Sequence, residues 1–159
     1  MRLELDQGAP LMNRRNYAFG WERCLETPVE SRSGPAGVVL VDNDAALLNA
    51  LKFALETEGF SVRAFSDASA VLAGEPESRA CYVLDQNLPG MTGLELLSRL
   101  RSRGRDDPAI LIATQLSAAA REQARAMGAV IVEKPLLGDA LACEVRRAIE
   151  RIGAIDRDQ

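Results

Sequence analysis

The residues able to carry chemistry in this chain each close an apolar run. Asp42 and Asn43 follow Val-Val-Leu-Val at 38–41, and Asp85 follows Cys-Tyr-Val-Leu at 81–84, with Asn87 two positions on. Thr114 follows Ala-Ile-Leu-Ile-Ala at 109–113, and Lys134 lies just past Val-Ile-Val at 130–132. Carboxylate oxygens suit a hard, octahedral Mg²⁺, which keeps several waters and bridges to a phosphoryl group. A lysine and a hydroxyl beside them supply positive charge and a hydrogen-bond donor to the other oxygens of that group. With both charges offset, Asp85 can act as a nucleophile toward phosphorus.

Taken singly, each residue has a plainer use. Asp42 to Asp44 suits a helix cap, Asp85 before Pro89-Gly90 suits a turn, Thr114 can open a helix, and Lys134 can be a solvated loop charge. Their recurrence after successive apolar runs is what favours a common pocket. Lysine is also scarce, only Lys52 and Lys134 among 19 basic residues, so a lysine at such a position carries weight.

Those runs must be positioned by a regular framework. From residue 37 onward, strand-length runs alternate with helical spacing. The strand at 38–41 precedes a helix with Leu47, Leu51, Ala54 and Leu55 on one face, ending near Gly59. A strand at 60–65 leads to a small helix closed by Gly74, and 81–84 reads as a central strand. Thr92 with Glu95 fits a capping box that opens a helix through Leu97 and Leu100. A strand at 109–113, an alanine-rich helix over about 116–127 ended by Gly128, a strand at 130–132 and a helix lined by Leu137, Leu141, Val145, Ala148 and Ile152 complete the series. The alternation predicts an α/β fold, a five-stranded parallel sheet with helices on both faces. In such sheets the chemistry sits at the carboxyl ends of the strands.

Composition narrows the chemistry further. With 159 residues, 47% of them hydrophobic and 26% charged, one domain core is sufficient without metal or disulfide staples. The chain has no histidine, which excludes a Ser-His-Asp hydrolase, a Cys-His protease, His-ligated zinc and phosphohistidine carried by this sequence itself. A net charge of −4 argues against a broad nucleic-acid or anionic-membrane surface. Cys24, Cys81 and Cys143 have no metal-binding spacing and read as free thiols of a reducing compartment. With no apolar run long enough to span a bilayer and no signal-peptide core, a cytoplasmic location is expected.

Residues 1–35 differ from the rest. Five basic and five acidic residues cancel there, so the whole net charge belongs to 36–159, and no period of 2 or 3.6 is sustained. Tyr17, Phe19 and Trp21 alternate with small residues, as in a short strand or an aromatic contact segment. The expected organisation is an N-terminal extension at 1–35, one domain at 36–154 and a tail at 155–159.

Four segments together, Val-Asp42-Asn43-Asp44, Tyr-Val-Leu-Asp85-Gln-Asn-Leu-Pro89-Gly90-Met-Thr-Gly93, Ile-Ala-Thr114 and Glu-Lys134-Pro135, resemble the receiver domain of two-component response regulators in order and spacing. The resemblance implies a flavodoxin-like (βα)5 fold with strand order 2-1-3-4-5. It implies that Asp85 is the phosphoacceptor, charged from a phosphohistidine on a histidine kinase or phosphotransfer protein. Asp42, Asn43 and Asp85, with the backbone carbonyl of Asn87, would then hold Mg²⁺, and Thr114 and Lys134 would bind the phosphoryl oxygens. A cis peptide at Lys134-Pro135 is also implied.

The chain departs from the family at three points. Asn43 stands where a second acid is usual, which predicts weaker Mg²⁺ binding, while Asp44 is better placed to cap the helix. Gln115 follows Thr114 in place of a very small residue, and Ile131 replaces the aromatic whose rotation commonly reports phosphorylation. A second reading follows, a docking module that signals without phosphorylation. A third, an aspartate-nucleophile phosphatase, lacks the acid expected two residues after the nucleophile, where Asn87 stands. With no helix-turn-helix in the leader, output is expected through a protein surface, with the helix near 116–127 as candidate. Self-association through that face or through Tyr17, Phe19 and Trp21 is a further expectation.

Overall fold

The computed structural model describes residues 37–74 and 79–155. Tyr17, Phe19, Trp21 and Cys24 lie outside the described residues. The elements are β1 (Gly37–Val41), α1 (Ala45–Thr57), β2 (Ser61–Phe65), α2 (Ala68–Ala73), β3 (Ala80–Asp85), α3 (Gly93–Ser102), β4 (Ala109–Ala113), α4 (Ala118–Ala126), β5 (Ala129–Glu133) and α5 (Ala140–Ile155). All strand pairs are parallel, in the order β2-β1-β3-β4-β5. This is the α/β sheet with strand order 2-1-3-4-5 expected from the sequence.

Period-two alternation divides the core between the two sheet faces. Val39, Val41, Tyr82, Leu84 and Leu111 pack with Leu94, Leu97 and Leu100 of α3 and Ala124 of α4. Val38, Leu40, Cys81, Val83, Ile110 and Ile112 pack on the other face with Leu48 and Leu55 of α1 and Leu141, Val145 and Ile149 of α5. β3 is buried along its whole length, as a central strand covered on both faces must be.

Local chemistry sets the helix starts. Asp44 caps α1, its carboxylate accepting from the Ala46 and Leu47 amides. Thr92 and Glu95 form the expected capping box on α3, with Thr92 Oγ1 accepting from Glu95 N and a Glu95 carboxylate oxygen accepting from Thr92 N. α4 opens later than its alanine run suggests, because Ser117 Oγ accepts from Ala120 N and leaves Leu116 outside the helix. α5 opens at Ala140, after Gly138 in a left-handed conformation, so Leu137 lies in the preceding loop and is 75% exposed. On α1 the buried positions are Leu48 and Leu55, while Ala54 is exposed.

Candidate functional site

The four candidate residues share a sheet face as well as a sheet edge. The inward rows Val38-Leu40, Cys81-Val83 and Ile110-Ile112 belong to the α1/α5 side, with Val130-Val132 packed against it. Two residues further along each strand, the same parity falls on Asp42, Asp85, Thr114 and Lys134. Register makes these neighbours, since Val41 is opposite Leu84, Asp85 opposite Ile112 and Ala113 opposite Glu133. The backbone continues the ladder past the strand ends, with Gln86 N donating to Ile112 O at 2.8 Å and Lys134 N to Ala113 O at 2.9 Å.

Three of the side chains meet. Lys134 Nζ lies 3.1 Å from Asp85 Oδ1 and 3.6 Å from Asp42 Oδ2. Asp42 and Asp85 are 1% and 3% exposed, the only buried charged groups among the described residues. Asp42 Oδ1 accepts from Asp44 N at 2.8 Å, whereas Asp42 Oδ2 and Asp85 Oδ1 have no hydrogen-bond partner. The ammonium therefore bridges the carboxylates as a charge without satisfying their lone pairs. Burial pulls the Lys134 ammonium down, but its contact with Asp85 and the charges of Asp85 and Asp42 outweigh that, and its pKa is raised.

Asn43, Asn87 and Thr114 stand at the same edge but are exposed, forming the rim. Lys134-Pro135 is cis. Cys81 sits four residues before Asp85 on β3, two repeats of the pleat below it, and is no rival nucleophile, because burial, with a smaller effect from Asp107, pushes its thiol up to about 12. Ile131 belongs to the opposite face, packed against the cluster that includes α3 and α4 side chains, and the exposed Glu133 pairs with Arg121 of α4. Spacing along the sequence did not single out Gln86, whose side chain reaches α3.

Buried carboxylate oxygens without hydrogen-bond partners, both close to Lys134 Nζ and beside the exposed Asn43 and Asn87, fit a small hard cation that retains waters. Among the described residues no group of three or more His, Cys, Asp or Glu side chains is clustered as a metal site. Asp42 and Asp85 are the buried carboxylates that the described residues offer to such a cation.

The doubly wound parallel sheet thus carries paired acids and a lysine at its carboxyl edge, where α/β domains of this class place their ligands. Within that class the chain belongs to the response regulator receiver domain family, whose model matches residues 38–146. It is 34% identical over 116 residues to the transcriptional regulatory protein FixJ of Bradyrhizobium diazoefficiens, covering 72% of this chain and 57% of that one. It is 31% identical over 128 residues to the response regulator TodT of Pseudomonas putida, covering 79% and 56%. The chain thus spans a little over half the length of these relatives. Among solved structures, a CheY-like receiver domain from Methanospirillum hungatei superposes with a TM-score of 0.71 at 25% identity, covering 76% of this chain and 98% of that one. The FixJ N-terminal domain superposes with a TM-score of 0.67 at 29% identity, covering 74% and 96%. The chain is a receiver of the two-component type.

Proposed function

We propose that Asp85 accepts a phosphoryl group from a phosphohistidine on a histidine kinase or phosphotransfer protein, and that the signal leaves by protein contact. The observation that carries this reading is the buried Asp85 carboxylate with an unsatisfied oxygen 3.1 Å from the Lys134 ammonium. The Asp85 oxygen attacks phosphorus, the P–N bond to the donor imidazole breaks, and its electron pair leaves with the imidazole. Lys134 holds the developing charge on one phosphoryl oxygen and the Thr114 hydroxyl donates to another. Mg²⁺ held by Asp42, Asp85, the Asn87 carbonyl and the Asn43 rim would neutralise the dianion as it meets the carboxylate. Asp85 is consumed and regenerated as a carrier, which makes the chain a switch that self-phosphorylates and loses phosphoryl with Mg²⁺, not a turnover enzyme.

The chain has no histidine, so the donor lies outside these 159 residues. The receiver is assigned to 36–154, with 1–35 as an extension and 155–159 as a tail, and to the cytoplasm. No helix among the described residues is long and apolar enough to cross a membrane. α4 buries only Ala124 and presents Ala118, Ala119, Glu122 and Arg125 outward, which suits it to a downstream protein partner or a second copy. No direct nucleic-acid contact is assigned.

The test is incubation with acetyl phosphate and Mg²⁺ followed by intact mass measurement. One phosphoryl is gained by the parent and none by Asp85→Asn. A parent that gains none returns the chain to the docking-module reading, which the exposed Asn43 and Gln115 favour. Asn43→Asp adds an acid beside Asp42 and is expected to tighten Mg²⁺ by roughly tenfold. Unchanged affinity by calorimetry would remove Asn43 from the metal rim.

A further inference from the structure

We infer that Gln86 is a positioning residue for phosphoryl acceptance, clamping the first turn of α3 onto the Asp85 peptide and so fixing the direction of the Asp85 carboxylate. The inference rests on the phosphoacceptor reading of Asp85.

Three bonds hold Gln86. Its N–H donates to Ile112 O of β4 at 2.8 Å and its carbonyl accepts from Gly93 N at 3.1 Å. Its side-chain Oε1 accepts from Leu94 N at 3.2 Å. The first-turn amides of α3 are thereby all assigned, Gly93 and Leu94 to Gln86 and Glu95 to Thr92 Oγ1. Strand parity explains why the residue after Asp85 can do this. Tyr82 and Leu84 face α3, so Gln86 faces it too, while Asp85 points to the opposite side and Lys134.

The clamp acts where there is no slack. A Cβ at Gly93 would lie 2.5 Å from Asp85 O, so the turn rests directly on the peptide that carries the nucleophile. Leu94 is 4% exposed, and without the Gln86 oxygen its N–H has little access to water. A shift of the turn to repair that bond moves the Asp85 peptide with it. The neutral amide suits the position, since it accepts from the helix terminus without a second anion beside Asp85 and Asp42.

Gln86→Met and Gln86→Glu in the full chain, with acetyl phosphate and Mg²⁺ varied, test the inference. Q86M retains the length and loses the acceptor. Its phosphorylation rate constant at saturating donor is expected to fall about tenfold, short of the roughly hundredfold that a misplacement of about 1 Å can cost. Its half-saturating donor concentration is expected to stay constant, and its Leu94 amide to exchange faster. Q86E keeps the acceptor and is expected to return the rate to within about threefold, the remaining deficit shrinking with salt as a charge effect does. Q86M phosphorylated at the parental rate overturns the inference alone. Should Q86M not fold, a tenfold deficit in Q86E that salt leaves unchanged overturns it as well. A parent that takes no phosphoryl overturns the Asp85 reading, and this inference with it.

Discussion

Replacing Lys134 by methionine is expected to destabilise the fold by about 3 kcal/mol at neutral pH and to slow phosphoryl acceptance by at least about a hundredfold. Methionine keeps the apolar stem and removes only the charge, so packing loss is small. What remains is a pair of carboxylates, 1% and 3% exposed, each with an oxygen that has no hydrogen bond and, among the described residues, only this ammonium as ion-pair partner. Breaking a buried ion pair by removing one member typically costs about 3–5 kcal/mol, because the other charge stays buried. The low end applies here, since Lys134 is 25% exposed and water enters from the rim.

The pH dependence separates this cause from packing. The folded-state pKa of Lys134 is raised above the ordinary 10.5. Its contribution is therefore fully present below about 10.5 and is lost as pH rises through the higher folded value. Urea unfolding of parent and K134M should accordingly converge only in strongly alkaline solution. A second route to convergence is neutralising an acid. Asp42→Asn removes the like charge opposite Asp85 and is expected to stabilise K134M while abolishing its Mg²⁺ response. Equal stability of K134M and parent at pH 7 would mean that the ammonium does not offset the burial of the two acids, and its stabilising role would fall.

Much of this site was legible in the sequence, for a physical reason. A parallel strand buried on both faces must be an apolar run, so the first polar residue after it marks the sheet edge, as Asp42, Asp85 and Thr114 do. Caps were legible too, because Asp44, Thr92 and Glu95 act within one helical turn. Where periodicity misled, a short-range signal had overruled it. Leu137 continues the apolar row of α5 by spacing, yet Gly138 at φ 62° delays the helix past it. Leu116 belongs to the alanine-rich run, yet Ser117 takes the cap.

The role of Gln86 lay out of reach for a different reason. A single polar residue in a loop has no period, and its bond to Leu94 spans eight positions. A usable signal was present in the parity of the strands. Asp42, Asp85, Thr114 and Lys134 each fall two residues beyond an α1/α5-facing position, which separates them from Asn43, Gln86 and Gln115. Reading the face as well as the end would have divided the residues on the Lys134 side of the sheet from those that shape the loops around it.

Gly93→Ala is expected to lower stability by about 2 kcal/mol, roughly 5–10 °C in melting temperature, and to slow Asp85 phosphorylation at the same time. Intrinsic propensity points the other way, since alanine is favoured over glycine by about 1 kcal/mol inside a helix. Sterics decide it. The new Cβ would stand 2.5 Å from Asp85 O and 2.8 Å from Leu111 Cδ1, and the nearer of these is backbone that cannot rotate aside. α3 must back away from β3, carrying Leu94, Leu96, Leu97 and Leu100, all at most 4% exposed, out of register with the sheet. Overpacking of this kind typically costs about 1–3 kcal/mol. Gly90→Ala supplies the contrast, because that glycine sits at φ +80° with open space around its absent Cβ. Its cost is conformational, about 1 kcal/mol, and its phosphorylation rate should match the parent. If G93A melts with the parent, α3 can yield without moving Asp85, and the close contact between helix and nucleophile peptide plays no part in holding the site.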